Sequence, residues 1–474
     1  MTTRFDAAGR RVLMVCAAGG FTTLLDNSVL NIALPALRDS LHADAAHVQW
    51  MVAGYSLAFG LALVPGGRLG DVRGRKPYFL AGMAIFTAGA ALAGLTPGPE
   101  ALVAARLLQG LGGGLVNSQM IGTMQDVFSG HARTRALGLY AVTGGVAGGL
   151  GPPLGGAVIA VAGPETGWRL VFLLAVPFGV VTLALAARHL PPAPDRAGSA
   201  DLDLVGLLLM GGLTLALMLP FVQPAGGPAG LVWAPVVGLL AVSSLRWQRR
   251  YARSGRRPLL HPTLTRSAPF AAGTMVAMGY FGSGLANSLV LTMFLQEGLG
   301  LTALATATVT LPAAFAMVAG SALAWRLARR FGRHTVSAGL ALSACSMLAG
   351  GLVALFASGE RLPVLLALCA TCASAASGLV VSPLQASVLK NAPGEAAGVA
   401  GGILQMSQRI GAAICISAVS GIYLHGSSAG GPGYRPAFWH AALTCAGVAA
   451  LACVLSYAAN RRAVRPPVAE VRPG

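Results

Sequence analysis

Apolar stretches long enough to cross a bilayer follow one another along almost the whole chain. A helix needs about 20 mostly apolar residues to span the hydrocarbon. Such stretches lie near 12–36, 47–66, 78–96, 100–123, 136–161 and 168–187, then 203–222 and 231–246, then 269–294, 304–325, 335–357, 362–383, 396–423 and 438–459. Inside hydrocarbon every backbone N–H and C=O must find its partner within the segment, so the pattern reads as an all-α polytopic membrane protein with fourteen spans arranged 6+2+6. Charged residues make up 10% of the chain, whereas soluble domains carry roughly 25%. Breakers such as Thr96-Pro97-Gly98-Pro99, Pro191-Pro192-Ala193-Pro194 and Pro224-Ala225-Gly226-Gly227-Pro228 separate the spans.

A net charge of +18 raises the question of a nucleic-acid partner, and the placement of the charges excludes it. Of 33 Lys and Arg, four (Arg38, Arg169, Arg361, Arg435) fall in outer loops and two (Arg106, Arg409) inside spans. The remainder cluster on one face, which the positive-inside bias makes cytoplasmic, where they also meet anionic lipid. An even number of spans then puts both termini in the cytoplasm and the chain in the cell membrane. Arg10 and Arg11 before an apolar run mimic a signal peptide, but the run continues through Asp26 to Pro35 and reads as a retained first span. The six tryptophans (50, 168, 233, 247, 325, 439) stand at span ends, as an interfacial belt requires. The seven cysteines fall within apolar spans and read as small buried hydrophobes; Cys369-x-x-Cys372 has no second pair or His cluster, so no metal is expected.

The turn Gly66–Pro77 is glycine-punctuated and cationic, and a weaker echo returns at Trp325-Arg326-Leu327-Ala328-Arg329-Arg330-Phe331-Gly332-Arg333. Two such hairpins in corresponding places suggest two similar halves: residues 1–187, a central helix pair in 188–266, and residues 267–474. The run Gly67-x-Leu69-x-Asp71-x-x-Gly74-Arg75-Lys76 resembles the loop motif of the major facilitator superfamily, with Val72 where a basic residue is usual. In the second copy Arg329 replaces the acid. The 6+2+6 arrangement resembles that superfamily's fourteen-span drug:proton antiporters, as do four further runs: Leu25-Asp26-Asn27-Ser28 through Pro35, Leu102-x-x-x-Arg106-x-x-Gln109-Gly110-x-Gly112, Gly151-Pro152-Pro153-Leu154-Gly155-Gly156 and Trp168-Arg169-x-x-Phe172. Gly398-Val399-Ala400-Gly401-Gly402 adds to them. The resemblance implies a monomeric exporter of amphipathic drugs or natural products, driven by the proton gradient with no cofactor.

Asp26 lies mid-span, where a lone carboxylate costs about 2.5–3.5 kcal/mol on insertion scales and must face a wet cavity or a partner. Desolvation disfavours the charged form, so Asp26 is the residue expected to load and release the coupled proton and to compete with a cationic substrate; the alternative is a structural hydrogen-bonding group. Arg106 would tune that site, with Gln109, Gly113 and Asn117 on its helical face. Asn27 and Asn31 extend the polar sector of the first span, and Gln405 and Arg409 are a second polar pair. Tyr55, Asn117, Met120, Tyr140, Tyr280 and Asn287 are further candidates for an adaptable substrate cavity. Gly151, Pro152, Gly155 and Gly156 imply a hinge or seal by resemblance, and close helix packing explains them equally. By resemblance Gly67, Asp71, Gly74, Arg75 and Asp126 form a latch between halves; surface solvation is the alternative for Asp71. The run Gly110–Gly114 is discarded as a dinucleotide fingerprint, because Leu115 stands where its third glycine is required. No catalytic constellation stands out, so an enzyme is not expected. A proton-symporting importer or a non-transporting sensor remain the alternative functions.

Overall fold

The structure, a computed structural model, describes residues 6–192, 201–222, 233–256, 258–260, 262–332, 334–393, 397–428, 431 and 433–462. Ala193, Pro194, residues 224–228 and Arg333 of the sequence reading lie outside them. The described residues hold sixteen α-helices and no strand. The first seven are α1 (Ala7–Ser40), α2 (Ala45–Gln49), α3 (Tyr55–Arg73), α4 (Arg75–Leu95), α5 (Pro99–Val127), α6 (Gly130–Leu173) and α7 (Ala175–His189). A π-helical turn, Trp50–Gly54, joins α2 to α3. A central pair follows, α8 (Leu204–Val222) and α9 (Trp233–Arg253). Then come α10 (Pro262–Arg266), α11 (Ala268–Met293), α12 (Ala303–Phe331), α13 (His334–Phe356), α14 (Arg361–Lys390), α15 (Ala397–Ser427) and α16 (Tyr434–Arg462).

Eleven helical stretches among the described residues are long and apolar enough to cross a membrane. One of them, Arg135–His189, runs for 55 residues and breaks at Gly163, whose φ of 78° only glycine adopts readily. Pro152 and Pro153 stay inside helix α6, and the backbone break lies downstream at Gly163. The Gly66–Pro77 turn is also tighter than expected. Helix α3 runs to Arg73 and α4 starts at Arg75, leaving Gly74 (φ 88°) to reverse the chain alone. We call this end of the bundle the loop end and the opposite one the distal end.

Helices α1, α3, α4, α5, α6 and α7 pack among themselves, as do α11 to α16. The two groups meet where α6 lies on α12 and α3 lies on α15, and α8 packs against α15 beside that second seam. Glycine makes the close approaches possible. A Cβ at Gly112 would collide with the Phe86 backbone nitrogen of α4, and one at Gly114 with the Phe59 carbonyl oxygen of α3. The glycine run that half-mimics a nucleotide loop is therefore a packing surface. Helix α6 uses glycine on two faces. Gly151 and Gly155 sit against Ser28 and Val29 of α1, while Gly145, Gly149 and Gly156 face Val318, Ala314 and Ala303 of α12.

Large apolar side chains cover the outside: Val161 is 91% exposed, Phe356 81% and Leu208 74%. Such a surface suits hydrocarbon as its solvent. Cys345 and Cys372 lie on it, so only some of the cysteines are buried as expected. Trp168, expected in an interfacial belt, is wholly buried under Arg169, whose guanidinium carbon stands 4.3 Å from its ring centre. The glycine argument yields a direct check. Gly114→Ala should destabilise by about 1–3 kcal/mol, the usual cost of overpacking. Gly148→Ala meets nothing within 4 Å and should be neutral or stabilising by up to about 1 kcal/mol. Loss of monodisperse protein on heating in detergent measures both; equal behaviour of the two variants would contradict the packing account.

Candidate functional site

Both charges that the sequence places inside the first-half spans meet at one point. Arg106 of α5 donates from Nη1 to Asp26 Oδ2 of α1 at 2.9 Å. The same nitrogen donates to Gln109 Oε1 at 2.5 Å, and Gln109 Nε2 donates to Asp26 Oδ1 at 2.8 Å. Arg106 Nε donates to the Met51 carbonyl at 3.3 Å, an oxygen in the π-helical turn between α2 and α3. The guanidinium carbon stands 4.2 Å from the Tyr55 ring centre. Arg106 and Gln109 are 0% exposed and Asp26 4%. Spacing explains the convergence: Arg106 and Gln109 are three apart on α5 and share a face. Of the wet cavity or partner expected for Asp26, the structure shows partners: its carboxyl accepts from one cationic and one neutral donor. Arg106 Nη2 is buried without a partner among the described residues.

From Tyr55 a ladder of rings runs along α3 to the seam. Phe59 follows at four residues, 6.0 Å between ring centres, and Arg409 of α15 lies over Phe59 at 4.1 Å. Nearby, Asn117 Nδ2 donates to Gln405 Oε1 at 2.9 Å, a bond from α5 to α15, and Tyr140 Oη donates to Asn117 Oδ1 at 3.2 Å. Five candidates from four separate helices (Tyr55, Asn117, Tyr140, Gln405, Arg409) therefore gather where α3, α5, α6 and α15 meet.

A cleft of about 590 Å³, partly open to solvent, lies between the groups at the loop end. Gly67, Asp71, Arg75 and Gly122 line one wall, and Gly401, Gly402 and Gln405 the other. Arg75 pairs with Asp71 and with Asp126, the latter at 3.1 Å, and donates to the Gly67 carbonyl at 3.3 Å. The charge network expected of the latch is present, yet all its members belong to the first half. The distal end is fastened differently: Arg38 of α1 pairs with Glu297 beyond α11 at 3.1 Å, and Gln296 Nε2 donates to the Ile32 carbonyl at 3.1 Å.

Other candidates stand apart. Met120 is buried beside Gly19 in the core between α1 and α5. Tyr280 Oη donates to the Ser377 carbonyl at 3.1 Å, tying α11 to α14, and Asn287 lines a small cavity with Ser346 and Phe438. Asn27 and Asn31 are half-buried on α1 without a hydrogen-bond partner among the described residues. Sequence reasoning missed Phe59, although its four-residue spacing from Tyr55 signals a shared face. It also missed the Arg38–Glu297 closure, since the partners lie 259 residues apart.

The chain matches the model of the Major Facilitator Superfamily over residues 16–416, with a second match over 276–473. It is similar to the probable actinorhodin transporter of Streptomyces coelicolor, 34% identical over 84% of this chain and 70% of that one. The tetracenomycin C resistance and export protein of Streptomyces glaucescens is 30% identical, over 85% and 73%. The cephamycin export protein of Amycolatopsis lactamdurans is 31% identical, over 100% and 97%. Among solved structures, an auto-inhibited peptide transporter of the POT family superposes with a TM-score of 0.68 at 16% identity, covering 98% of this chain and 99% of that one. The xylose transporter XylE from E. coli superposes at 0.64 and 14%, over 95% and 98%. At such identities the likeness concerns the fold alone. Multiple apolar helices, a fold shared with membrane transporters and a sequence match over most of its length lead to one conclusion: the chain belongs to the Major Facilitator Superfamily.

Proposed function

We propose that this multi-pass membrane protein exports amphipathic small molecules in exchange for protons, through fourteen spans in a 6+2+6 arrangement that expose the seam to each side in turn. The relatives that export antibiotics support the direction of transport. The observation that carries the coupling is the buried triad of Asp26, Arg106 and Gln109. With Asp26 ionised, the carboxylate holds Arg106 and ties α1 to α5. A proton on Asp26 cancels its charge, leaves Arg106 without its counter-ion and turns one oxygen from acceptor into donor, so the triad must rearrange. A two-state element that both a proton and the neighbouring seam can bias is what antiport requires. Asn117, Tyr140, Tyr55 and Gln405 would form the substrate-facing wall, and the glycine faces of α6 the surface on which the halves slide.

The driving force suffices. At 100 mV one inward charge is worth about 2.3 kcal/mol and one pH unit about 1.4, so exchange of one proton for a neutral molecule sustains a gradient of about a few hundred fold. The reading needs no cofactor and is compatible with a monomer, with the loop end and both termini in the cytoplasm of a cell in whose plasma membrane the protein lies.

Asp26→Asn should lose at least about tenfold of efflux driven by an imposed pH gradient while keeping substrate–substrate exchange across reconstituted vesicles, because Asn still accepts from Arg106 but cannot carry the proton. Undiminished gradient-driven efflux in this variant would sink the coupling assignment. The distal closure gives a second test. An ion pair of this partly exposed kind is worth roughly 0.2–1 kcal/mol, so Glu297→Gln should raise the open fraction by about 1.4- to fivefold. The readout is the labelling rate of a cysteine placed at Ile32, in a background without other thiols, by a reagent confined to the distal side. An unchanged rate would remove Arg38–Glu297 from the gate.

A further inference from the structure

Arg409 is the unexplained charge of this fold. It sits midway along α15, 9% exposed, with its guanidinium carbon 4.1 Å from the Phe59 ring centre and 5.3 Å from that of Phe281. Among the described residues no carboxylate pairs with it and no acceptor takes a hydrogen bond from it. Arg106, buried in the other half, shows what such a group normally obtains: an acid at 2.9 Å and a carbonyl. A guanidinium stays charged at any pH a protein meets, and an ionised group out of water is held by a counter-charge or a wet cavity. Two ring faces supply part of that stabilisation, but they leave all five N–H donors unused.

Arg409 belongs to the second half while Phe59 belongs to the first, so the group lies on the seam. Gln405, one helical turn toward the loop end, lines the cleft that opens there. The rings against it are Phe59 and Phe281, and Tyr55 continues the aromatic surface beside Phe59. We propose that Arg409 receives the anionic group of the exported molecule, a carboxylate carried on an aromatic framework, bound through the guanidinium fork with the framework against these rings. This rests on the transport reading and narrows it, replacing the sequence-level expectation of a cationic substrate. The fork matches a carboxylate in two parallel hydrogen bonds, and a cation brought to the same place meets an uncompensated like charge. Exchange of one entering proton for one leaving monoanion also moves two charges in the same electrical direction, so the membrane potential acts twice per cycle.

The test uses purified full-length protein in lipid nanodiscs with no pH gradient. Anthracene-2-carboxylate, its methyl ester and 2-(aminomethyl)anthracene head a panel of polycyclic aromatic triplets, and binding is read as protection against thermal aggregation. Carboxylates should bind at least tenfold more tightly than their esters, and the ammonium forms more weakly than either. Arg409→Gln should abolish the carboxylate advantage, bringing carboxylate and ester to the same affinity. Arg409→Lys keeps the charge, guards against a folding defect and should retain part of the preference. No carboxylate advantage in the wild type overturns the proposal, and so does an advantage that survives in Arg409→Gln. Competition by chloride at fixed ionic strength without any carboxylate preference would identify an inorganic counter-ion and also overturn it. Because no gradient is imposed, failure here leaves proton coupling at Asp26 standing, and undiminished gradient-driven efflux in Asp26→Asn would leave this binding result standing.

Discussion

The ion pair between Asp26 and Arg106 is the interaction on which the first half depends. Neither charge is tolerable alone where both are nearly or wholly excluded from solvent, and removing one partner of such a pair typically costs about 3–5 kcal/mol because the other is left buried and unpaired. The pair gathers its surroundings accordingly. Gln109 closes a triangle with both members, the Met51 carbonyl takes the remaining Nε donor, and the Tyr55 ring covers the guanidinium. Helices α1, α3 and α5 are thereby fixed around one electrostatic centre, and the proposed coupling would act by disturbing these contacts.

That centre communicates with the seam through side chains in contact. Tyr55 and Phe59 sit on successive turns of α3, and Phe59 carries Arg409 of the opposite half. Around them the halves meet on small residues. A Cβ added at Gly60 would stand 3.0 Å from the Arg409 Cβ, and one added at Gly156 would stand 3.0 Å from the Ala303 carbonyl oxygen. Surfaces without protruding side chains let helices approach closely and slide without unlocking interdigitated knobs. The two ends differ in this structure. An ion pair and a side-chain-to-backbone hydrogen bond join the halves at the distal end, whereas a cleft separates Asp71 and Arg75 from Gly401 and Gly402 at the loop end.

Much of this was legible in the residues. Apolar length marked the helices, and two charges in the first-half spans were singled out because hydrocarbon makes such charges costly; that they find each other follows from the same cost. The pairing itself was not legible, since 80 residues separate the partners and no local rule links them. Where the reading failed, burial was the missing variable. Trp168 looked interfacial by its place in the chain and is wholly buried, Cys372 looked buried and faces outward, and Met120 looked available to a substrate but fills the core beside Gly19. The twelve-residue loop contracted to Gly74 because charged residues at a helix end can stay helical when a single glycine turns the chain. The glycine–proline motif of α6 suits a hinge or close packing; helix α6 packs through glycine on both faces, and its backbone breaks downstream at Gly163.

The most direct measurement of the central claim is infrared difference spectroscopy of the protein in lipid as pH is cycled between acidic and alkaline values. A protonated carboxyl has a C=O stretch that a carboxylate lacks. The account predicts one such band that comes and goes with pH, disappears in Asp26→Asn and shifts when Arg106 is replaced by Lys. A difference spectrum identical in wild type and Asp26→Asn would show that this acid does not exchange a proton, and would contradict the account.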